Sequence, residues 1–279
     1  MPELPEVEAN RRNLARWACG RRIVRAEPPP GTRETLGVGP GAFRRRLEGR
    51  VVEEVGRRGK WMLVRLSGGG GLGIHLGMTG KLAHAGTGEG APRFTRATFH
   101  LDDGSRLLFV DLRRFGKLWP VARFEELLAR REIAEVGPDA LAEATAARLA
   151  EAAAATARTI KEVLMDQRVF GGIGNIYAAE ALYRARLHPA SRARAVARDR
   201  KALAALIRAV RAALEHGLAQ LADDELPAYV EEGAPNPFLV YDRQGQPCPR
   251  CAVPLTAMTL GGRTTTFCRK CQHRVTMRG

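Results

Sequence analysis

Four cysteines near the end of the chain form two C-x2-C pairs, Cys248 with Cys251 and Cys268 with Cys271, and sixteen residues separate the pairs. This spacing is typical of a tetrahedral zinc shell made of four thiolates. Because protein ligands fill all four positions, no position remains for an activated water, so the predicted Zn2+ is structural. The sequence therefore predicts a small zinc ribbon whose folding depends on one bound zinc ion.

The segment between the two cysteine pairs contains Gly261-Gly262-Arg263, which predicts a tight hairpin from which Arg263 projects. An arginine presented in this way can bind a phosphate group. An ordinary exposed arginine fits this segment equally well. The fifth cysteine, Cys19, lies apart from the others, and we expect it to be a buried thiol.

The chain is strongly basic, with 45 Lys and Arg against 30 Asp and Glu among 279 residues and a formal net charge of +15. An excess of this size favours a polyanionic partner, and nucleic acid is the first hypothesis; ribosome association and an arginine-rich composition are alternatives. No apolar run approaches the roughly 18 residues of a membrane span, and the N-terminus is unlike a signal peptide. We therefore expect a cytoplasmic protein with no membrane partner. A monomer with no small-molecule cofactor is the default expectation, associated with the nucleoid if the partner is DNA.

Hydrophobic periodicity divides the chain into three predicted domains. Residues 1–125 contain short apolar runs separated by turns, the pattern of a β-sandwich. Residues 126–235 have the periodicity of helices, and residues 236–279 contain the zinc ribbon. The turns predicted to join hairpins are residues 67–71 and 102–104. The predicted fold class is α+β.

A helix is predicted to begin within the first six residues, and Pro5 suits the first turn of that helix. If Met1 is removed, the chain starts at Pro2, whose α-amine has a reference pKa near ~8 against ~10.4 for lysine. More of this amine is neutral at pH 7, and the positive end of the helix disfavours its protonation. Pro2 is therefore a candidate nucleophile beside the carboxylates of Glu3 and Glu6. Taken alone, the segment fits a proline-capped helix with solvated acids better.

A glycine-rich turn at residues 171–175 separates two predicted helices and ends in Asn175. Backbone N–H groups exposed at a helix start can bind a phosphate, to which Asn175 adds an amide donor. Lys161 on the preceding helix can add a positive charge to the same site. In isolation, the segment is explained better by a helix cap and a solvated lysine.

Polar and apolar side chains at predicted turns and strand ends suit contact with a nucleic-acid duplex. Lys60 at a strand start and His75 at a strand end can reach phosphate. Exposed Met78 and Phe115 can enter the stack as wedges, and Arg113 can pair with the base left behind when a nucleotide is extruded. The alternatives are that Lys60 and His75 are simply solvated, that Met78 packs in the protein interior, and that residues 113–116 form an ordinary strand end.

Together these motifs resemble those of the formamidopyrimidine-DNA glycosylases. They occur in the family's order over nearly the whole chain, and their joint occurrence is far more specific than any one motif. The motifs are Pro2-Glu3-Leu4-Pro5-Glu6-Val7-Glu8, Lys60, His75-Leu76-Gly77-Met78, Arg113-Arg114-Phe115-Gly116, Gly172-Ile173-Gly174-Asn175-Ile176-Tyr177 and the zinc ribbon with Arg263. Leu4 resembles the purine-lesion branch, because the related endonuclease VIII branch usually has glycine there.

The resemblance implies a β-sandwich, a helix-two-turn-helix domain and a zinc ribbon, with double-stranded damaged DNA in the cleft between them. It also implies a base excision repair enzyme that removes oxidised purines, formamidopyrimidine and 8-oxoguanine, and then cuts the strand by β- and δ-elimination. Pro2 would attack C1′ and form an imine, and Glu3 would protonate the sugar oxygen or assist departure of the base. Lys60 would act in proton transfer and phosphate binding during elimination.

The resemblance also implies which residues contact DNA. Asn175 and Arg263 would hold phosphates that flank the lesion, and Arg263 would assist δ-elimination. Arg113 would read the orphaned cytosine while its neighbours fill the vacated stack. The residues expected to bind DNA are His75, Met78, Arg113, Phe115, Lys161 and Asn175.

Three residues and one segment depart from the family pattern. Phe94 stands where the family usually has a DNA-contacting histidine, Leu112 replaces a usual proline, and Asp242 replaces a usual glycine before the ribbon. Residues 217–232 lack the hydroxyl-rich stretch by which relatives often cap the flipped base. The alternatives are therefore an endonuclease VIII-like glycosylase for oxidised pyrimidines, and a zinc-ribbon protein that binds damaged DNA without cutting it.

Overall fold

The structure, a computed structural model, describes residues 2–28, 37–221 and 236–276. Met1 and most of the 217–232 segment lie outside these ranges. Among the helices of the described residues, none combines the length and the apolar character that crossing a lipid bilayer demands. The described residues form two compact units, which divide between Glu135 and Val136.

The first unit contains two four-stranded antiparallel sheets that share one hydrophobic core. Its strands are β1 Ile23–Glu27, β2 Val52–Arg58, β3 Trp61–Leu66, β4 Gly71–His75, β5 Lys81–Ala85, β6 Thr95–Leu101, β7 Arg106–Val110 and β8 Lys117–Val121. The strand orders are β2-β3-β4-β8 and β1-β6-β7-β5. Met62 and Ile74 from the first sheet and Phe99 and Phe109 from the second lie in the same core. The predicted β-sandwich is confirmed.

Both predicted hairpin turns are present. A short 3-10 helix, Ser67–Gly69, joins β3 to β4, and residues 102–104 join β6 to β7; both strand pairs are antiparallel. Lys60 lies in the turn between β2 and β3, one residue before β3 begins. The turn places the half-buried lysine at one end of the first sheet.

Strand β3 is buried on both faces over residues 61–64, which accounts for the four consecutive apolar residues there; the next residue, Arg65, is half-buried. Met62 and Val64 face the sandwich core, whereas Trp61 and Leu63 belong to a second cluster on the other face. Leu127 and Ile133 complete that second cluster. They lie in the short helices α3 Glu125–Leu128 and α4 Arg131–Ala134, which follow α1 Leu4–Ala18 and α2 Pro40–Leu47 along the chain.

Helix α1 is built into the sandwich core. Its Val7 and Leu14 contribute to the same cluster as the two sheets. Asn10, which is 2% exposed, accepts the backbone N–H of Leu82 in β5 at 2.9 Å. The N-terminal helix is therefore fixed to the second sheet through a buried hydrogen bond as well as by apolar packing.

Glu8 fixes α1 to the first sheet. Its carboxylate accepts hydrogen bonds from Arg11 in the same helix and from Nε of Arg57 in β2, the latter at 2.9 Å. Burial alone would raise the pKa of Glu8, but the hydrogen bonds from the two guanidinium groups outweigh it and lower the pKa from 4.5 to about 2. Glu8 is therefore ionised throughout the physiological pH range.

The second unit begins with helices. They are α5 Ala146–Ala154, α6 Ile160–Met165, α7 Asn175–Arg184, α8 Ala193–Ala197 and α9 Arg200–Ala219. Thr159 caps α6 by accepting the N–H of Glu162, and the Glu162 carboxylate accepts the N–H of Thr159. Gln167 braces the turn between α6 and α7, because its side chain accepts the N–H of Gly172 and donates to the carbonyl of Ile173. The predicted pair of helices joined by a glycine turn is confirmed.

The zinc ribbon contains strands β9 Thr256–Leu260 and β10 Arg263–Phe267, which pair antiparallel. Gly261 and Gly262, with φ of 55° and 70°, form the two-residue connection. Positive φ at both positions is the requirement of a tight type I′ hairpin, which explains the two glycines. Glu180 of α7 holds the segment before the ribbon, because its buried carboxylate accepts the N–H groups of Leu239, Val240 and Tyr241 at 2.8–3.1 Å.

The expectation of a buried thiol at Cys19 is wrong. Cys19 is exposed and follows Ala18, the last residue of α1. Ala18 is fully buried and belongs to the core, so the helix ends where its apolar contact with the sandwich ends. The next side chain therefore faces solvent.

Replacing Glu8 by Gln should lower the free energy of unfolding by about 1–2 kcal/mol at pH 7, because the amide loses the charge-assisted bonds to Arg11 and Arg57. The folded pKa of Glu8 lies below its ordinary value of 4.5, so the stabilisation is complete above pH 4.5 and is lost as the pH falls towards 2. Urea unfolding of both proteins at pH 7 and pH 2.5 measures this difference.

The exposed Glu53 on β2 supplies the matched control, since Glu53→Gln should leave the unfolding free energy unchanged at both pH values. Zinc release in acid affects all three proteins, so only their differences are compared. A Glu8→Gln effect as large at pH 2.5 as at pH 7 would show that the charge of Glu8 is not the source of the stabilisation.

Candidate active site

The start of α1 gathers two buried carboxyl side chains beside Pro2. Glu3 and Glu6 are 0% and 1% exposed, and Pro2 is also buried. The carboxylate of Glu6 accepts the backbone N–H of Glu3 at 2.6 Å, a capping-box bond that fixes the chain at the helix entry. The positive end of the helix stabilises ionised carboxylates there. Residue 2 therefore lies at a fixed place next to a buried acid.

Arg57 connects this helix to the turn that carries Lys60. Its Nε donates to Glu8 of α1, and its Nη1 donates to the carbonyl of Gly59 at 3.1 Å. Gly59 and Lys60 form the turn between β2 and β3. The position of Lys60 is therefore set by the same arginine that anchors α1.

His75 ends β4 close to Lys60 and is neutral at pH 7. The pKa of His75 is lowered to about 4, mainly because the imidazole is buried and further because the charges of Lys60 and Lys117 disfavour a second positive charge. Nδ1 accepts the N–H of Gly77 at 3.1 Å, which leaves the proton on Nε2. His75 can therefore donate one hydrogen bond but adds no positive charge.

Asp111 holds two loops together, one with Met78 and one with Arg113 and Phe115. The side chain of Asp111 is 1% exposed. Its Oδ1 accepts the hydroxyl of Thr79 at 2.6 Å and the N–H of Arg113 at 3.2 Å, and its Oδ2 accepts the N–H of Gly116 at 2.8 Å. One buried carboxylate therefore sets the course of both loops.

The two loops also pack backbone against backbone. A Cβ on Gly77, whose φ is 63°, would lie 2.5 Å from the carbonyl carbon of Phe115. Phe115 is 53% exposed, and the guanidinium of Arg113 lies 5.0 Å from its ring centroid. Met78 on the other loop is partly exposed. The two predicted wedge residues, Met78 and Phe115, and Arg113 thus lie on two loops that are held together through Asp111.

In the second unit, Lys161 joins α6 to α7 and to the ribbon hairpin. It is 0% exposed, and its Nζ donates to Oδ1 of Asn175 and to Oγ1 of Thr265, both at 2.5 Å. Nδ2 of Asn175 donates to the carbonyl of Thr264 at 3.0 Å. Asn175, at the start of α7, is therefore held by a hydrogen bond from Lys161 of α6 and by one to Thr264 of the ribbon. Lys161 lies beneath it, away from solvent.

Arg263 is exposed at the first position of β10, directly after the Gly261–Gly262 turn. Thr264 and Thr265, the next two residues, are those bonded to Asn175 and Lys161. The hairpin is thereby fixed to the start of α7. The structure thus connects, through neighbouring residues, three of the positions predicted to hold phosphates.

The four cysteines of the ribbon fit a zinc ion, and they bind one structural Zn2+. Their sulfurs all lie within 4.8 Å of one another. Cys248 and Cys271 are 4.0 Å apart, and Cys251 and Cys268 are 3.5 Å apart. Tetrahedral zinc with Zn–S bonds of about 2.3 Å requires S···S separations of about 3.8 Å, which agrees with both.

Tyr183 of α7 contributes to the zinc site from outside the ligand set. Its hydroxyl lies 3.4 Å from the sulfur of Cys248. Burial alone would raise the pKa of Cys248, but hydrogen bonds from Tyr183 and from the N–H groups of Arg250 and Cys251 lower it to about 6. The thiolate form is thus favoured at Cys248, whereas burial raises the pKa of Cys268 and Cys271. Tyr183 also packs the ribbon on the same helix that carries Asn175.

The residues that the sequence reasoning missed are those that position others: Arg57, Thr79, Asp111 and Thr265. Only Asp111 has a local signal, as a carboxylate directly after the apolar run of β7.

The structure also locates the three residues that depart from the family pattern. Asp242 has φ of 56°, which explains why glycine is usual there, and Phe94, with φ of 68°, lies under the guanidinium of Arg93 at 4.6 Å. Leu112 is 54% exposed beside Arg113.

Three protein-family models match the chain, in the order sandwich, helices, ribbon. The formamidopyrimidine-DNA glycosylase N-terminal domain matches residues 1–118, and the formamidopyrimidine-DNA glycosylase H2TH domain matches residues 136–224. The zinc finger found in FPG and IleRS matches residues 245–274.

Relatives resemble the chain over its whole length. The formamidopyrimidine-DNA glycosylase of Roseiflexus sp. (strain RS-1) is 40% identical over 279 residues, which cover 98% of this chain and 100% of that protein. The crystal structure of MutM (Fpg) from Thermus thermophilus has a TM-score of 0.81 and 36% identity, covering 98% of this chain and 99% of that one. Lactococcus lactis Fpg, in a complex with DNA containing an abasic site, has a TM-score of 0.85 and 25% identity, covering 98% and 100%.

Replacing Asp111 by Asn should loosen both loops, because an amide NH2 in place of one carboxylate oxygen cannot accept a backbone N–H. We expect a loss of about 1–3 kcal/mol in unfolding free energy and faster amide hydrogen exchange at Arg113 and Gly116. NMR-detected exchange on the zinc-bound protein measures the two amides directly.

The matched control is Asp103→Asn, in the exposed turn between β6 and β7, which should leave the exchange of both amides unchanged. Unaltered protection of Gly116 in Asp111→Asn would mean that the carboxylate does not hold the loop.

Proposed function

The chain belongs to the formamidopyrimidine-DNA glycosylase family, and from this premise we propose that it removes oxidised purines from duplex DNA and then cuts the strand at the abasic site. Formamidopyrimidine and 8-oxoguanine are the proposed lesions, and the proposed activities are those of a bifunctional glycosylase and AP lyase. The enzyme works as a monomer at the nucleoid. The observation that carries the proposal is the fixed, buried Pro2 beside the buried carboxyl of Glu3.

Pro2 is the proposed nucleophile, which requires that Met1 is first removed. In the Met1–Pro2 peptide the proline nitrogen is an amide, whose lone pair is delocalised and does not attack carbon. After removal it is a secondary amine with an ordinary pKa near ~8, at the positive end of α1. A substantial neutral fraction is therefore available near pH 7.

The proposed reaction begins when the Pro2 nitrogen attacks C1′ of the damaged nucleotide. The N–C1′ bond forms, the glycosidic bond breaks, and the base leaves with a proton; loss of the amine proton and opening of the sugar give a cationic imine. The imine acidifies the C2′ proton, so its removal expels the 3′ phosphate in β-elimination. Removal of the C4′ proton then expels the 5′ phosphate in δ-elimination.

Acid and base roles fall to residues near the start of α1. Glu3 protonates the ring oxygen of the sugar or assists the departing base. Lys60 moves protons and binds phosphate during elimination, in a position that Arg57 sets. The proposal is supported by the guanidinium of Arg57, which donates both to Glu8 of α1 and to the carbonyl of Gly59 in the Lys60 turn.

Met78, Arg113 and Phe115 are proposed to enter the duplex and fill the space that the extruded nucleotide leaves. Apolar wedges open a base step, and an arginine can pair with the orphaned cytosine. Reading cytosine matters chemically, because excision of 8-oxoguanine opposite adenine would fix a mutation. The rigid support that Asp111 gives to both loops favours this role.

The flanking phosphates are proposed to bind at Asn175 and Arg263, with Arg263 also assisting δ-elimination. Lys161 supports this site from below, and its buried ammonium adds positive potential. His75 contributes a neutral N–H donor near Lys60. The Lactococcus lactis Fpg complex with abasic-site DNA, and a MutM complex with DNA containing carbocyclic 8-oxo-G, are consistent with damaged DNA as the substrate class.

Two alternatives make different predictions for the same residues. An endonuclease VIII-like enzyme would use the same imine on oxidised pyrimidines. A non-catalytic protein would bind damaged duplex without forming an imine, but a buried acid and a terminal proline are unnecessary for binding alone.

Replacing Pro2 by Gly or Glu3 by Gln should abolish base excision while preserving DNA binding. The first exchanges the ring-held secondary amine for a flexible primary amine, the second removes the acid, and neither removes a proposed phosphate contact. For Glu3→Gln we expect a rate loss of about 100-fold or more. Single-turnover cleavage of duplexes with 8-oxoguanine opposite cytosine, formamidopyrimidine or an oxidised pyrimidine measures excision. Fluorescence anisotropy with an uncleavable abasic analogue measures binding.

Glu53→Gln, the exposed control, should cleave every lesion at the wild-type rate. Undiminished cutting by both active-site variants would overturn the mechanism. Faster excision of the oxidised pyrimidine than of either purine lesion would instead favour the endonuclease VIII-like alternative.

A further inference from the structure

Two adjoining cavities in the second unit lie outside every site described above. They have volumes of about 550 Å³ and 300 Å³ and share the residues Ala195, Val275 and Thr276. The larger cavity opens at the start of α9 and the smaller at the start of α8. None of their lining residues belongs to the zinc shell or to the cluster of Lys161, Asn175 and Arg263.

The cavities are built by the C-terminal segment as it packs on the turn before α8. The N–H of His188 donates to the carbonyl of His273 at 2.9 Å, and the N–H of Val275 donates to the hydroxyl of Ser191 at 3.2 Å. Ser191 is 1% exposed. These bonds fix the backbone on both sides of Arg274, so the cavity walls are part of the folded structure.

Positive charge is concentrated around these cavities. Their lining includes the basic residues Arg192, Arg198, Arg200, Lys201 and Arg274. Asp199 is the one acidic side chain among the described residues that line them, and its Oδ1 accepts the N–H of Ala202 as the cap of α9. Five cations therefore face one carboxylate that already serves a helix cap.

Most of this charge is uncompensated among the described residues. Within the part of the chain that the structure describes, Arg192, Arg200, Lys201 and Arg274 make no ion pair. Arginines elsewhere in the same unit differ, since Arg158 and Arg168 both bind Asp166, at 3.0 Å and 2.9 Å. Uncompensated cations around a concave surface raise the local positive potential and favour binding of an anion.

The groups present fit an anion with several oxygens, such as phosphate, better than a halide. Guanidinium groups bind such oxygens through two parallel N–H donors, and four arginines and a lysine together suit an anion of more than one charge. The start of α9, a 20-residue helix, adds the positive end of its dipole. His188 also senses this potential, because burial and then the charge of Arg274 lower its pKa.

We propose that these cavities form a second phosphate-binding site, separate from the site that holds the phosphates flanking the lesion. Its ligand is a phosphate group, either of the backbone of a nucleic acid or of free inorganic phosphate. The site does not depend on the imine chemistry, so its test can succeed or fail independently of the proposed reaction.

The test compares the zinc-bound, full-length protein with Arg192→Gln/Arg274→Gln. The matched control is Arg208→Gln/Arg211→Gln, which removes two exposed arginines further along α9. Side-chain Nε–Hε NMR signals are followed as inorganic phosphate is added. Binding of undamaged duplex DNA is measured by anisotropy over a series of salt concentrations.

We expect inorganic phosphate to shift the Nε–Hε signals of Arg192 and Arg274 in the wild-type protein and to saturate. If DNA is the ligand, the affinity of the double variant for the duplex should also fall at least about tenfold. The slope of log K against log salt concentration should become shallower by about 1–2 in the double variant, whereas the control should keep the wild-type slope. Saturable shifts with an unchanged DNA slope identify free phosphate as the ligand.

Absence of saturable shifts at Arg192 and Arg274, in a protein whose spectrum shows it to be folded, would overturn the proposal. Equal losses of duplex affinity in the double variant and the control, beside saturable shifts, would assign the site to free phosphate and not to DNA. Cleavage of a short abasic duplex, measured on the same samples, reports the proposed reaction separately.

Discussion

The N-terminal end of α1 is the constraint on which the first unit and its candidate active site depend. The Glu6 carboxylate fixes the backbone of Glu3, Asn10 bonds the helix to one sheet, and Glu8 bonds it through Arg57 to the other. A chain terminus is ordinarily the least ordered part of a protein. Here it is built into a sandwich core, so a reactive nitrogen at residue 2 has a defined position relative to a buried acid and to the Lys60 turn.

In the second unit, a small segment is likewise held in place by its neighbours, here by a metal ion and by hydrogen bonds to a helix. Zinc orders a ribbon too small to fold on apolar packing alone, and Tyr183 and Glu180 fix that ribbon to α7. Lys161 then joins the hairpin to the start of the same helix. A structural metal therefore supports the proposed phosphate site indirectly, by ordering the hairpin that joins Arg263 to the start of the helix carrying Asn175.

Sequence reasoning succeeded where the signal is local. The spacing of four cysteines predicts the zinc site, alternating apolar runs and glycine turns predict the sandwich, and the glycine break at residues 171–175 predicts the paired helices. It failed at Cys19, whose exposure depends on where helix contact with the core ends. It also missed Asp111 and the bond from Lys161 to Thr265, because side chains up to 104 residues apart meet only after folding. Roles of individual residues were available from the family resemblance and not from the spacing.

The central claim is that the nitrogen of Pro2 becomes covalently bound to the sugar. The most direct measurement is peptide mass spectrometry of the complex with abasic-site DNA after borohydride reduction, which converts an imine into a stable amine. We predict that the DNA remnant lies on an N-terminal peptide that begins at Pro2 and lacks Met1. An adduct on Lys60 or another lysine, or no adduct from protein shown to lack Met1, would contradict Pro2 as the nucleophile.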